Sequence, residues 1–163
     1  MQLIELRIKD LRCIEQAELS FGSGINLVTG ANGAGKTSII EAIHLMGYGR
    51  SFRGRVRDGI IRSGSSHCEV FIRWQDARPG DRHAGLSHTG STWQAKLNGE
   101  NTTSLTELCS EIPVVSFEPG SHELIGGSAE HRRRYLDWGL FHVEQAFVQQ
   151  WRRYAREIGR AHV

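Results

Sequence analysis

The chain has 163 residues, 39% of them hydrophobic and 23% charged, which suits one folded domain and excludes collagenous or low-complexity protein. No apolar run approaches the roughly 18 residues of a membrane span, and the N-terminus MQLIELRIKDLR alternates charged and apolar residues, with no signal-peptide core. Cys13, Cys68 and Cys109 are far apart and form no C-x-x-C pair, the pattern of reduced thiols in a cytosolic protein. The net charge is only +2, but 17 of the 20 basic residues are Arg. Many are bunched: Arg50, Arg53, Arg55, Arg57 and Arg62; Arg132 to Arg134; Arg152, Arg153 and Arg156. Arg suits bidentate phosphate contacts, although such clusters also occur as plain solvated faces.

In chain order, Ile4, Leu6 and Ile8 alternate with Glu5, Arg7 and Lys9, the period of a half-buried strand. Ala17 to Phe21 alternates again, Gly22-Ser23-Gly24 makes a turn, and Ile25 to Thr29 reads as a further strand. A glycine-rich stretch from Gly30 to Gly35 leads into a helical pattern over Thr37 to Tyr48. There Ile39, Ile43 and Met46 recur at helical spacing, and Gly47 and Gly49 supply the stop. The arginine-rich segment 50–62 has little periodicity and reads as loop or short helix.

Residues 68–74 form the next strand, with Val70, Ile72 and Trp74 on one face, and 78–92 read as an exposed connection with a short strand. Asn98-Gly99 between extended runs is a hairpin signal. Ser104 with Glu107 fits a capping box opening a short helix that Pro113 ends. Val114 to Phe117 reads as a strand closed by Pro119-Gly120, and from Ser128 the chain turns helical to its end. Tyr135, Leu136 and Trp138, beside Arg132 to Arg134, fit a basic-aromatic nucleic-acid face or a packed core; helical spacing favours the core. Phe147, Trp151, Tyr154 and Ile158 make one apolar stripe, which calls for a partner element. The expectation is that the chain is part of a longer protein.

Gly30-Ala31-Asn32-Gly33-Ala34-Gly35-Lys36-Thr37 matches G-x-x-x-x-G-K-[ST] between a strand and a helix, the context that a P-loop requires. Its glycines let backbone N–H groups converge on phosphates, and the helix adds the positive end of its dipole. Lys36 would place its ammonium at the β- and γ-phosphates of ATP, and the Thr37 hydroxyl would ligate Mg²⁺. Hydrolysis needs more, namely four apolar residues ending in an acid that holds the metal. Val114-Val115-Ser116-Phe117-Glu118 is the nearest shape, but Ser116 interrupts it and Pro119 follows. No catalytic residue is therefore assigned. The eight histidines show no zinc-ligand spacing.

Three segments together resemble the RecF family of bacterial recombination proteins, kin of the ABC-type ATPase heads of the SMC family. They are LIELRIKDLRCIEQAEL with INLVTGANGAGKTSIIEAIHLMGYGRSFR; the hairpin around Leu97-Asn98-Gly99; and Phe117-Glu118-Pro119 with Gly126-Gly127-Ser128 and Arg132 to Gly139. The resemblance implies an α/β fold, the N-terminal lobe of an ABC-type P-loop ATPase head with a mixed β-sheet, followed by the start of a helical arm. Residues 1–140 would be the head lobe and 141–163 the arm. It further implies a cytoplasmic, ATP-dependent DNA-binding protein of repair and replication restart. Such a protein recognises single-strand/double-strand junctions, dimerises on ATP, helps RecO and RecR load RecA, and hydrolyses ATP slowly. Arg12 stands where related heads place a basic residue on the nucleotide. Arg50, Arg53, Arg55 and Arg57 are candidates for DNA phosphates. Two other readings stay open, a P-loop metabolite kinase and a non-enzymatic interaction module on a P-loop fold.

Overall fold

The computed structural model describes residues 1–53, 59–117, 119–144 and 146–161. Two compact units divide them, Met1–Val114 and Val115–Val163. The division falls upstream of residue 140, where the sequence reading ends the head lobe.

The first unit is a six-stranded sheet with helices on one face. Strands β1 (Gln2–Leu11), β2 (Ile14–Ser20), β3 (Cys68–Gln75), β4 (Arg82–His88), β5 (Trp93–Leu97) and β6 (Glu100–Asn101) lie in the order β2-β1-β3-β4-β5-β6. The expected α/β class holds, and every ladder among the described residues is antiparallel. Register explains the core. Ile8 pairs Val70, Val70 pairs Leu86 and Leu86 pairs Ala95, while Leu6 pairs Ile72 and Ile72 pairs Ala84. Because side chains alternate across a strand, these two rows share one face. Helix α1 (Lys36–Tyr48) covers it with Ala42, Leu45 and Met46, and α2 (Leu105–Glu111) adds Leu108.

Local chemistry sets the corners. The β5–β6 turn places Asn98 and Gly99 at φ 50° and 88°, the left-handed pair of a type I′ hairpin. The Ser104 hydroxyl accepts from the Glu107 N–H at 3.3 Å, as the capping signal predicts. The Glu107 carboxylate, however, accepts from the Thr103 N–H at 3.1 Å, one residue before the cap. Where a mostly exposed connection is expected at 78–92, β4 runs for seven residues, because its alternate positions Ala84, Leu86 and His88 are buried in the sheet.

Two expected strands do not form among the described residues. Ile25 to Thr29 joins no ladder, and Ile25 and Leu27 stand 99% and 84% exposed. A strand exists only where its N–H and C=O groups find a neighbour, and no strand of this unit pairs with them. The Asn26 side chain instead closes a local turn, its Oδ1 accepting from the Gly22 N–H at 2.9 Å. Val114 to Phe117 likewise joins no ladder. Glu118 and the arginines Arg55 and Arg57 lie outside the described residues.

In the second unit a 3₁₀ turn (Pro119–His122), a single helical turn α3 (Glu123–Gly126), α4 (Ala129–Val143) and α5 (Phe147–Ala161) follow in order. The helical run expected from Ser128 is thus two helices, one ending at Val143 and the next starting at Phe147. Of the three aromatic and apolar residues read as core on α4, Tyr135 and Leu136 are exposed and Trp138 is half-buried, so the core reading is corrected for the first two. On α5, Phe147 is half-buried, Trp151 and Tyr154 are exposed, and the Ile158 side chain lies outside what is described.

Helix α1 meets the chain closely at Gly47. A Cβ built there would lie 2.6 Å from Val114 Cγ2 and 2.9 Å from the Ile112 carbonyl oxygen. Backbone cannot retreat as a side-chain tip can, so Gly47→Ala should destabilise the first unit by about 1–3 kcal/mol, the range of overpacking. A thermal melt of the variant checks this; an unchanged midpoint would mean that the contact is slack.

Candidate functional site

The segment Gly30 to Gly35 is a loop that feeds directly into α1. Gly30, Gly33 and Gly35 hold φ values of 148°, 85° and 94°, conformations that side-chain-bearing residues rarely adopt. Gly35 has a second reason to be glycine, since an added Cβ would lie 3.1 Å from Ile14 Cγ1. The loop is therefore pressed against the start of β2, which fixes where the helix begins.

Gly35 caps α1 without any side-chain hydrogen bond, and the first turn carries no acidic residue. The first N–H groups of the helix thus keep their donors pointing out of the helix end, with no carboxylate set there to neutralise them. Lys36 curls back over the loop, its ammonium donating to the carbonyls of Gly30 and Ala31, each at 2.7 Å. This crowds a cation, a helix N-terminus and a glycine loop into one place. Such a donor set fits a polyphosphate anion.

These groups open onto a cleft of about 500 Å³. The loop and the start of α1 line it with Asn32, Gly33, Gly35, Lys36, Thr37 and Ser38, and Arg12, Cys13, Arg53 and Gly59 complete the lining. Of the expected residues, the structure brings the P-loop, Arg12 and Arg53 together. Arg50 is exposed and lines no part of the cleft. A larger hollow of about 590 Å³ lies over the outer face of the sheet, between Arg7, Phe71 and Lys96. It mixes cations with Glu18 and Glu69 and has no convergent set of donors, so the chemistry points to the smaller cleft.

Arg12 occupies the tight β1–β2 turn at φ 56°, an unusual value for a residue other than glycine. Two contacts hold it there. Its N–H donates to the Ile60 carbonyl at 2.8 Å, and its guanidinium grips Glu41, Nη2 to Oε1 at 2.8 Å and Nε to Oε2 at 3.1 Å. Glu41 is fully buried on α1. The Ser51 hydroxyl donates to Oε1 of Glu41 at 2.5 Å, the Arg53 N–H donates to the same hydroxyl at 2.9 Å, and the Arg53 guanidinium lies 3.7 Å from Oε2. Burial by itself would push the Glu41 carboxyl upward. The hydrogen bonds from Arg12 and Ser51 and the charges of Arg12 and Arg53 outweigh it, and the carboxyl is held below its usual range.

Sequence reasoning missed Glu41 and Ser51. A signal was present: Glu41 is the only acidic residue between Glu18 and Asp58, a stretch that carries Lys36, Arg50, Arg53, Arg55 and Arg57. The expected stripe of Ile39, Ile43 and Met46 also understates the burial of α1, because Ser38, Glu41, His44 and Leu45 are buried as well. His44 stacks on Tyr48 with ring centroids 4.1 Å apart and meets Phe52 edge-on at 5.1 Å. Burial, then the nearby charge of Arg50, pushes the His44 ring down to about 4, so it is neutral near pH 7. Arg62, placed in the same arginine bunch, is engaged with Glu15 at 2.9 Å.

Comparison with known proteins agrees with this geometry. A protein of Stenotrophomonas maltophilia named DNA replication and repair protein RecF is 54% identical over 162 residues, covering 97% of this chain and 44% of the relative. One of the same name from Thioalkalivibrio sulfidiphilus is 39% identical over 155 residues, covering 94% and 43%. The chain thus spans less than half the length of these relatives. A solved structure described as the recombination mediator protein RecF with ATP in the RecFOR pathway superposes with a TM-score of 0.83 at 26% identity, over 95% of this chain and 42% of that one. The SMC head domain of Thermotoga maritima shares the fold, with a TM-score of 0.56 over 68% of this chain and 42% of that one, at 18% identity. The resemblance read from the sequence is borne out. A family profile described as an AAA domain matches residues 5–108, more than half of the chain, and takes in the whole glycine loop and its helix; the chain belongs to that family.

Proposed function

We propose that this chain is the nucleotide-binding lobe of a RecF-like protein, with residues 1–140 as the head lobe and 141–163 beginning a helical arm. ATP would bind along Gly30, Ala31, Asn32, Gly33, Ala34, Gly35, Lys36 and Thr37. The loop N–H groups and the α1 N-terminus would cradle the phosphates, Lys36 would leave its two carbonyls for them, and Arg12 would approach from the β1–β2 turn. Bound Mg²⁺ would supply charge neutralisation between phosphates, with the exposed Thr37 hydroxyl as its protein ligand. One observation carries the reading: the positive-φ glycines Gly33 and Gly35 and an uncapped, acid-free helix start line a single cleft with Lys36.

The whole protein, on the pattern of its relatives, would be a cytoplasmic ATP-dependent DNA-binding protein. It would form a homodimer on ATP, act at single-strand/double-strand junctions, and work with RecO and RecR in loading RecA. No described helix is long and apolar enough to cross a membrane. A metabolite kinase would need an acceptor site beside the cleft, and among the described residues the lining carries Arg12 and Arg53 and no acidic side chain. The P-loop and the 54% identity with RecF support the nucleotide-dependent DNA reading over a bare interaction module.

Replacing Lys36 by Ala should weaken ATP binding at least about tenfold, or about 1.4 kcal/mol. Titration with a fluorescent ATP analogue measures it, and equal affinity in the folded variant would remove the nucleotide from this cleft.

The thiols give an independent readout. Cys13 is exposed and lines the cleft, whereas Cys68 and Cys109 are buried and burial pushes each up to about 11. A maleimide should label Cys13 first, and saturating ATP should slow that labelling several-fold while leaving Cys68 and Cys109 as they were. Labelling of Cys13 that is indifferent to ATP counts against occupancy of the cleft.

For DNA, each duplex phosphate contact adds about 0.9 to the log–log salt slope of binding. If Arg50, Arg53, Arg55 and Arg57 meet phosphates, changing all four to Ala should flatten that slope by up to about 3.6 with ATP present. An identical slope would identify them as a solvated segment.

A further inference from the structure

Glu41 is a charge that the fold conceals completely, and nothing in the hydrophobic core asks for it. It lies on α1 one helical turn beyond Thr37, below the cleft rather than in it. Its partners come from two other stretches of the chain. Arg12 reaches it through two nitrogens from the β1–β2 turn, while Ser51 and Arg53 reach it from the chain that leaves α1. Among these groups, Arg12 and Arg53 line the cleft and Glu41 and Ser51 do not. Arg12 is also the residue whose backbone sits in a left-handed conformation.

We infer that Glu41 is the positioning residue of the phosphate cleft: it holds Arg12, and through Ser51 the root of the arginine-rich segment with Arg53, as further cations lining the cleft with Lys36. The inference rests on the reading of the cleft as a nucleotide site. Its physical logic is one of direction. A guanidinium is a planar fork, and two of its nitrogens docked on a buried carboxylate fix its plane at the lining of the cleft. A long arginine without that anchor would lie out in solvent and would have to be ordered by the ligand itself. Glu41 therefore contributes to phosphate binding without touching phosphate, by preorganising residues that do. The same carboxylate ties the first residues of the arginine-rich segment to the helix that starts at the P-loop, so the two candidate binding regions share one anchor.

A double-mutant cycle on the whole chain tests it, with a fluorescent ATP analogue as the probe and circular dichroism to confirm folding. Glu41→Gln should weaken ATP binding at least fivefold. In an Arg12→Ala background the same change should cost less than twofold, because the group that Glu41 positions has gone. Wild-type affinity in folded Glu41→Gln, or an equal loss in both backgrounds, overturns the inference; the latter makes Glu41 a general scaffold residue. Should Glu41→Gln fail to fold, Ser51→Ala takes its place. It removes only the hydroxyl between Glu41 and the Arg53 N–H, and should weaken binding at least twofold, with no change overturning the inference. Lys36→Ala serves as the control. If it binds ATP as the wild type does, the nucleotide reading itself fails; if it loses affinity while the Glu41 cycle is flat, the positioning role alone fails.

Discussion

A carboxylate sealed from water has to be matched or neutralised, and the Glu41 carboxylate is matched. Removing an ion from water costs several kcal/mol, which only close and well-aligned partners offset. Arg12 supplies a two-nitrogen grip and Ser51 a hydroxyl, and Arg53 adds charge from 3.7 Å. The arrangement draws three distant parts of the chain to one point: the β1–β2 turn, the middle of α1 and the segment after it. Two of these parts, through Arg12 and Arg53, line the cleft together with the glycine loop and the start of α1.

The sheet makes that convergence possible. Strands β1 and β3 present Leu6, Ile8, Val70 and Ile72 on one face, and α1 lies across it with Ala42, Leu45 and Met46. The helix can shift little along its axis, because Gly47 touches the Ile112–Val114 segment at one end and Gly35 abuts Ile14 at the other. A helix pinned at both ends holds its first N–H groups in a constant position. Preorganised donors are what an anion site needs, since the cost of ordering them is met when the chain folds and not when the ligand binds.

The second unit follows a different logic. Helices α4 and α5 carry exposed Tyr135, Leu136, Trp151 and Tyr154, and Arg133 and Arg134 are engaged locally with Glu130. The Ile25–Thr29 segment of the first unit likewise joins no ladder. Side chains that read as core in a sequence pattern become core only when something is there to pack on them.

Local chemistry was legible in the amino-acid sequence by itself. The P-loop, the helix behind it, the Asn98-Gly99 hairpin and the Ser104 cap each depend on residues a few positions apart, and the structure reproduces all four. The full length and burial of β4 and the missing ladders at Ile25–Thr29 and Val114–Phe117 were not legible, because a strand is defined by its neighbour and not by its own alternation. The cleft divides the same way. Its glycine loop and Lys36 are read from a spacing of eight residues. Glu41 meets Arg12 across 29 positions and Ser51 across 10, so their pairing emerges only once the sheet and α1 have packed. Sequence determined the glycine loop and its lysine; tertiary structure decided which of the arginines line the cleft beside them, because a buried ion pair takes its partners from proximity in space.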